Sequence, residues 1–165
     1  MKTILVFSGL FLFSLLYGNA PTTVSDVDLN RYAGVWYEIA RYPQWFEKGM
    51  THVTAEYIPK KDYIEVINKG YKNGKPKEAH GKAFVVENSG NAKLRVQFFW
   101  PFRGDYWIIA LAPDYSWAVV SNKKKSTLWI LSRTPALPEN TLHGIIRLLR
   151  QREFDTGKLE FVKQD

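Results

Sequence analysis

The sequence predicts an all-β fold, an eight-stranded antiparallel up-and-down barrel with one C-terminal α-helix packed outside. Three observations lead there. From Arg31 onward, short runs rich in Val, Ile, Tyr, Phe and Trp alternate with Gly, Pro, Asn, Asp and Lys clusters, the pattern of a β-meander. After Pro138 the apolar period switches from two to that of a helix. A chain of 165 residues carrying eight such strands hides its sheet edges most economically by closing on itself. The composition agrees: 45% hydrophobic and 15% aromatic residues exclude a disordered chain, and the absence of cysteine excludes a disulfide scaffold, a cysteine-ligated zinc fold and thiol catalysis. The formal net charge of +7 leaves nucleic acid, anionic lipid and acidic small molecules open as partners.

Residues 1–20 read as a secretory signal. Lys2 gives the positive start, Ile4 to Leu16 is almost wholly apolar, and Gly18, Asn19 and Ala20 are small or polar. The apolar run is shorter than the roughly 20 residues a membrane span needs. Cleavage falls after Ala20 or after Gly18. Asn19 stands where a lipoprotein signal carries its lipid-bearing cysteine, so lipidation at that position is not expected. Residues 21–165 are then one domain.

Strands are predicted near 33–43, 50–58, 63–71, 78–87, 93–100, 105–112, 116–122 and 127–134. Leu94, Val96 and Phe98 alternate with Arg95 and Gln97, which assigns an inner and an outer face. From Tyr106 to Leu111 both faces are apolar, so that strand is either covered outside or lines a cavity within. Asn73-Gly74 marks a tight turn. Leu142, Ile145, Ile146 and Leu149 form the apolar stripe of a helix of about four turns, opposite Arg147, Arg150, Gln151 and Arg152. That basic face is either solvated or laid on a membrane surface. Lys158 to Lys163 alternates as a short last strand. An eight-stranded barrel holds side chains alone or one small ligand, and periodicity does not choose between them.

Three short motifs sit at three strand ends: Gly34-Val35-Trp36 at the first, Asp114-Tyr115 between the sixth and seventh, and Arg133 at the eighth. In this order they resemble the signature regions of the lipocalin family. The strings Tyr37 to Pro43 and Leu128 to Thr134 are similar to the branch containing bacterial lipocalins, plant temperature-induced lipocalins and apolipoprotein D. The resemblance covers roughly residues 27–163. Parity places Trp36 inside the closed end, where the Arg133 guanidinium can lie over its indole, with Asp114-Tyr115 supporting either Arg133 or the chain before Trp36. These are structural residues, and no catalytic residue is expected.

The same parity, chosen to keep Lys and Glu outside, gives the expected ligand-binding wall: Val53, Ala55, Tyr57, Val66, Asn68, Ala83, Val96, Phe98, Tyr106, Ile108, Trp129 and Leu131. Leu94 and Val85 share the inward faces. Small residues at Ala55, Gly81 and Ala83 are expected to leave volume for a lipid tail, with Asn68 and the Tyr57 and Tyr106 hydroxyls orienting a head. If the motifs mark the closed end, the odd-numbered connections form the open one. They carry Lys48, then Lys72, Lys75 and Lys77, then Arg103, then Lys123, Lys124 and Lys125. This basic rim either steers anionic ligands or only keeps the protein soluble. Trp100 and Phe102 lie in it, placed to touch a ligand head or an anionic bilayer.

The resemblance thus implies a carrier or store for a fatty acid or lysophospholipid, active in membrane maintenance or stress and, for a bacterial source, in the periplasm or at the outer membrane. An enzyme acting on a lipid or isoprenoid is the alternative. His52, His80 and His143 are scattered, however, and make no nucleophile-base pair or ligand spacing. A small barrel binding single-stranded nucleic acid is a further alternative, countered by the export signal and the inward parity of the aromatics. Neither cofactor nor metal is expected.

Overall fold

The computed structural model describes residues 20–165, so the secretory signal expected over residues 1–20 lies almost entirely outside the described residues. An extended N-terminal segment leads into a one-turn helix α1 (Leu29–Tyr32), started by the Asp28 carboxylate accepting from the Asn30 and Arg31 amides. Eight antiparallel strands follow: β1 (Gly34–Arg41), β2 (Met50–Pro59), β3 (Ile64–Lys72), β4 (Lys75–Val85), β5 (Lys93–Phe99), β6 (Phe102–Leu111), β7 (Trp117–Ser121) and β8 (Leu128–Ser132). Each pairs with the next, and β1 pairs with both β2 and β8, which closes the barrel.

The closure is incomplete at the open end, and the C-terminus repairs it. β2 bulges between Thr51 and Thr54 and leaves β1 beyond Tyr37. A two-residue strand β9 (Glu160–Phe161) pairs with Ala40 and Arg41 in the gap. The Gln164 side-chain amide then donates to the carbonyls of Glu38 (2.7 Å) and Val53 (2.9 Å), one on each side of the seam.

β4 begins three residues earlier than its alternation indicates. Asn73 and Gly74 both adopt positive φ (53° and 72°), the two-residue turn that continues strand twist, and so keep the β3–β4 ladder paired up to Lys72–Lys75. Helix α2 (Glu139–Gln151) lays Ile145 and Leu149, both buried, on the outer face of the barrel. There they meet Ile39, Ile109, Val119 and Ile130. This resolves the doubly apolar Tyr106–Leu111 run: Ile108 faces inward and Ile109 is covered outside by the helix. The end of α2 is pinned by Arg152, whose guanidinium donates to the Ile109 carbonyl. It does not lie on a free basic face. The final alternating stretch is shorter than expected, because Thr156–Lys158 forms a 3-10 turn.

Candidate functional site

The barrel interior has a packed half and an open half. At the packed end, Trp36 is fully buried and its indole N–H donates to the Tyr32 carbonyl (2.8 Å). The Arg133 guanidinium lies 3.8 Å from the Trp36 ring centroid and donates to the carbonyls of Val35 (2.9 Å), Arg31 (2.7 Å) and Tyr32 (3.1 Å). Partial burial lowers its pKa from the ordinary arginine value. Gly34 takes φ +90°, and a Cβ built there would sit 3.5 Å from Arg133, so the glycine supplies the turn into β1. Asp114 acts locally: it accepts from the Ser116 amide (3.0 Å) and hydroxyl (2.7 Å), which holds its carboxyl below the usual range. Tyr115 supports both candidates, since its carbonyl accepts from Arg133 Nε (3.4 Å) and its hydroxyl accepts from the Asp28 amide (2.9 Å). The N-terminal segment crosses this floor, Val27 donating to the Gly90 carbonyl at 2.8 Å.

Above the floor lies a cavity of about 480 Å³, within the range of small-molecule sites. Val53, Ala55, Tyr57, Val66, Asn68, Val96, Phe98, Tyr106, Trp129 and Leu131 line it. Ala83 and Ile108, placed with them by parity, are fully buried in the packed half and do not reach the cavity. Gly81 contributes no volume, since its missing Cβ would meet the Gln97 carbonyl and the Phe98 ring at 2.9 Å. Val85 is 40% exposed at the strand end.

Three tyrosines join floor and cavity. Tyr57 donates to the Tyr106 hydroxyl (2.8 Å), which shares a 2.7 Å hydrogen bond with Tyr32. Burial raises all three pKa values above that of free tyrosine, so the phenols stay neutral. Asn68 Oδ1 is buried without a hydrogen-bond partner, an acceptor left open beside the cavity.

One polar cluster goes against the rule that charged residues face outward. Glu38 and Glu47 line the cavity, and Arg41, 3% exposed, lies between them. Arg41 donates to Glu38 Oε1 (2.6 Å) and to the Glu47 carbonyl (2.7 Å), while Trp129 Nε1 donates to Glu47 Oε2 (3.3 Å). Burial pushes Glu38 up to about 8, with Glu47 adding to the rise and Arg41 opposing it; burial also raises Glu47. Two buried carboxylates share one guanidinium, so the retained proton belongs to the pair. Glu38 follows Trp36 by two residues, so strand period alone places it inside. Arg41 breaks that parity because the β1–β8 register shifts between Glu38 and Ala40.

At the rim, Arg103 borders the cavity and stacks 4.2 Å from the Phe84 ring centroid, while Phe102 is 77% and Trp100 86% exposed. Lys48, Lys123 and Lys124 are exposed on the β1–β2 and β7–β8 connections, whereas Lys75 and Lys77 are exposed at the start of β4 and Lys72, half-buried, ends β3. Lys125 differs: its ammonium donates to the Arg152 carbonyl (3.0 Å), pairs with Glu153 (3.8 Å) and lies over Phe154, tying the β7–β8 connection to the end of α2. His52, His80 and His143 are exposed, and none of them lines the cavity. Among the described residues, no group of three or more His, Cys, Asp or Glu side chains is placed to hold a metal.

Comparison with known proteins agrees with this architecture. A family model described as a lipocalin-like domain matches residues 27–164. The chain is 45% identical over 145 residues to the outer membrane lipoprotein Blc of Vibrio cholerae, covering 86% of this chain and 85% of that protein. It is 33% identical over 155 residues to bovine apolipoprotein D, covering 87% and 80%. Among solved structures, insecticyanin from the tobacco hornworm Manduca sexta superposes with a TM-score of 0.74 at 25% identity, covering 88% of this chain and 86% of that one. The motif floor, the closed barrel with its outer helix, and these relatives together make the chain a lipocalin, in the branch that holds bacterial Blc and apolipoprotein D.

Proposed function

We propose that this lipocalin is an exported, non-catalytic carrier or store for a fatty acid or lysophospholipid, serving membrane maintenance at the periplasmic or outer-membrane side of a bacterial envelope. The observation that carries the reading is the mainly apolar cavity above the Trp36–Arg133 floor, bordered by the aromatic and basic rim residues Phe99, Phe102 and Arg103. Residues 1–20 serve as the export signal and residues 21–165 as the binding domain. The twelve wall positions divide the work. Val53, Ala55, Val66, Val96, Phe98 and Leu131 enclose the tail, Trp129, Asn68, Tyr57 and Tyr106 add polar atoms, and Ala83 and Ile108 support from below.

Each buried methylene contributes about 0.8 kcal/mol, so a sixteen-carbon tail offers roughly 12 kcal/mol against association costs of about 4–15 kcal/mol. At the low end of those costs about 8 kcal/mol remains, which is binding in the micromolar range. An anionic head stays at the rim beside Arg103, because deeper it would meet the Glu38–Glu47 pair. The open acceptor at Asn68 favours a ligand with a hydroxyl to donate, which a lysophospholipid has and an ionised fatty acid lacks.

The test is titration of delipidated protein with palmitate and with a lysophospholipid, followed by tryptophan fluorescence. Saturable quenching with the lysolipid ahead of palmitate is expected. No saturable change with either lipid overturns the proposal.

A further inference from the structure

Five large aromatic side chains stand in water at the mouth. Trp45 and Phe46, on the β1–β2 connection, are 86% and 48% exposed; Phe99, Trp100 and Phe102, on the β5–β6 hairpin, are 77%, 86% and 77% exposed. Phe46, Phe99 and Phe102 border the same cavity, so the two connections flank one opening. The Trp45 and Phe46 rings meet edge-on at 5.6 Å and present a broad apolar tip. A monomer gains nothing from holding such a group in water.

The exposed charges around it are mostly basic. Lys48, Lys75, Lys77, Arg103, Lys123 and Lys124 are exposed on this end. Most carboxylates near it are otherwise engaged: Glu47 is buried against Arg41 and Trp129, Glu78 is paired with Lys69 and His80, Asp105 with Arg95 and Glu153 with Lys125, which leaves Glu160 on β9 as an exposed acid beside six exposed basic residues. Tryptophan and phenylalanine ringed by lysine and arginine fit the boundary of an anionic bilayer, where rings enter the headgroup layer and cations meet lipid phosphates. A protein partner of matching shape would need an acidic surface with an apolar centre, and nothing in the fold points to one.

We infer that the mouth is a membrane-docking surface: Trp45 and Trp100 insert into an anionic leaflet, the basic rim lies on its phosphates, and the cavity opens directly onto the lipid. This deepens the carrier reading by naming where the ligand is exchanged, and it rests on that reading. A tail leaving the leaflet would then enter the barrel without crossing water, whose avoidance of apolar surface is the main barrier to free transfer.

The test is sedimentation of the full protein with vesicles of phosphatidylcholine alone and of phosphatidylcholine mixed with phosphatidylglycerol, at low and high salt. Binding to the anionic vesicles only, weakened by salt, is expected. Bromine-labelled acyl chains in those vesicles should quench tryptophan fluorescence. The pair Trp45→Ser and Trp100→Ser should lower vesicle affinity by about tenfold or more. Lys123→Ala and Lys124→Ala, on a different connection, should each lower it about fivefold. Equal binding to both vesicle types, or unchanged affinity in the tryptophan variant, overturns docking. So does a dimer that forms without vesicles and disappears in that variant. Titration of the wild type with a soluble lysophospholipid runs alongside. Lysolipid binding without vesicle binding removes the docking surface and leaves the carrier, whereas vesicle binding without lysolipid binding removes the carrier.

Discussion

Replacing Arg133 separates a structural floor from an active site, since a half-buried arginine at the end of a barrel invites either reading. The guanidinium makes one face contact with Trp36 at 3.8 Å and three carbonyl hydrogen bonds between 2.7 and 3.1 Å, joining β8 to the chain entering β1. The face contact is worth about 0.5–2 kcal/mol. Hydrogen bonds from a charged donor contribute about 1.5–3 kcal/mol each when buried, and less here, where the side chain is partly exposed and the three are not additive. Arg133→Ala should therefore cost about 3–5 kcal/mol, and Arg133→Lys, which keeps one charge but loses the fork, about 2–3 kcal/mol. For a domain of this size that lowers the melting temperature by roughly 6–20 °C for alanine. Urea denaturation followed by circular dichroism measures the loss. The folded fraction should bind lysophospholipid with wild-type affinity, because Arg133 lies outside the cavity lining. A loss below about 1 kcal/mol, or lost lipid binding at full stability, would refute the assignment of Arg133 to the floor.

Three further outcomes are expected. Because Glu38 titrates near 8 when folded and near 4.5 when free, the folded state holds the extra proton, so its contribution to stability is present at low pH and is lost as pH rises through that window. Wild-type stability should fall more steeply than that of Glu38→Gln between about pH 5 and pH 9, and parallel curves would show that the pair does not retain its proton. Ala55→Phe should fill cavity volume, displace about two methylenes of a tail and weaken lysophospholipid binding roughly fifteenfold, while urea denaturation changes by less than about 1 kcal/mol. At Gly90 a Cβ would lie 2.0 Å from the Ser25 carbonyl oxygen, and φ is +58°. Gly90→Ala should accordingly cost about 2–4 kcal/mol and expose the segment before Val27 to limited proteolysis, and wild-type protease resistance would count against that packing.

Strand positions were readable because the barrel keeps water outside and apolar side chains within, which writes a period of two along Leu94, Val96 and Phe98. The motif residues were readable for a different reason: Trp36 and Arg133 meet only if their strands close on each other. Single-residue exceptions were harder to read. Arg41 is buried because a register shift turns it inward, and no side-chain pattern records such a shift in advance. Glu38 shares the strand parity of Trp36, which conflicts with the tendency of acids to face water; the cost of burying that carboxylate is met by Arg41 and by a retained proton. Gly81 and Ala83 suggest free space by their size alone, whereas they are small because neighbouring atoms already occupy it. Helix α1 is four residues long, too short for a periodic signal, and exists because Asp28 caps it and Tyr32 packs beneath Trp36.

The central claim is that the space above the tyrosine floor takes one lipid tail. Native mass spectrometry of the delipidated protein, wild type and Ala55→Phe side by side, tests it most directly by counting lipids per chain across a lysophospholipid titration. The account predicts one lysolipid on the wild type, saturating in the micromolar range, with Ala55→Phe needing roughly fifteenfold more. Equal occupancy of the two proteins, or several lipids adding without saturation, would place the lipid outside the barrel and contradict the account.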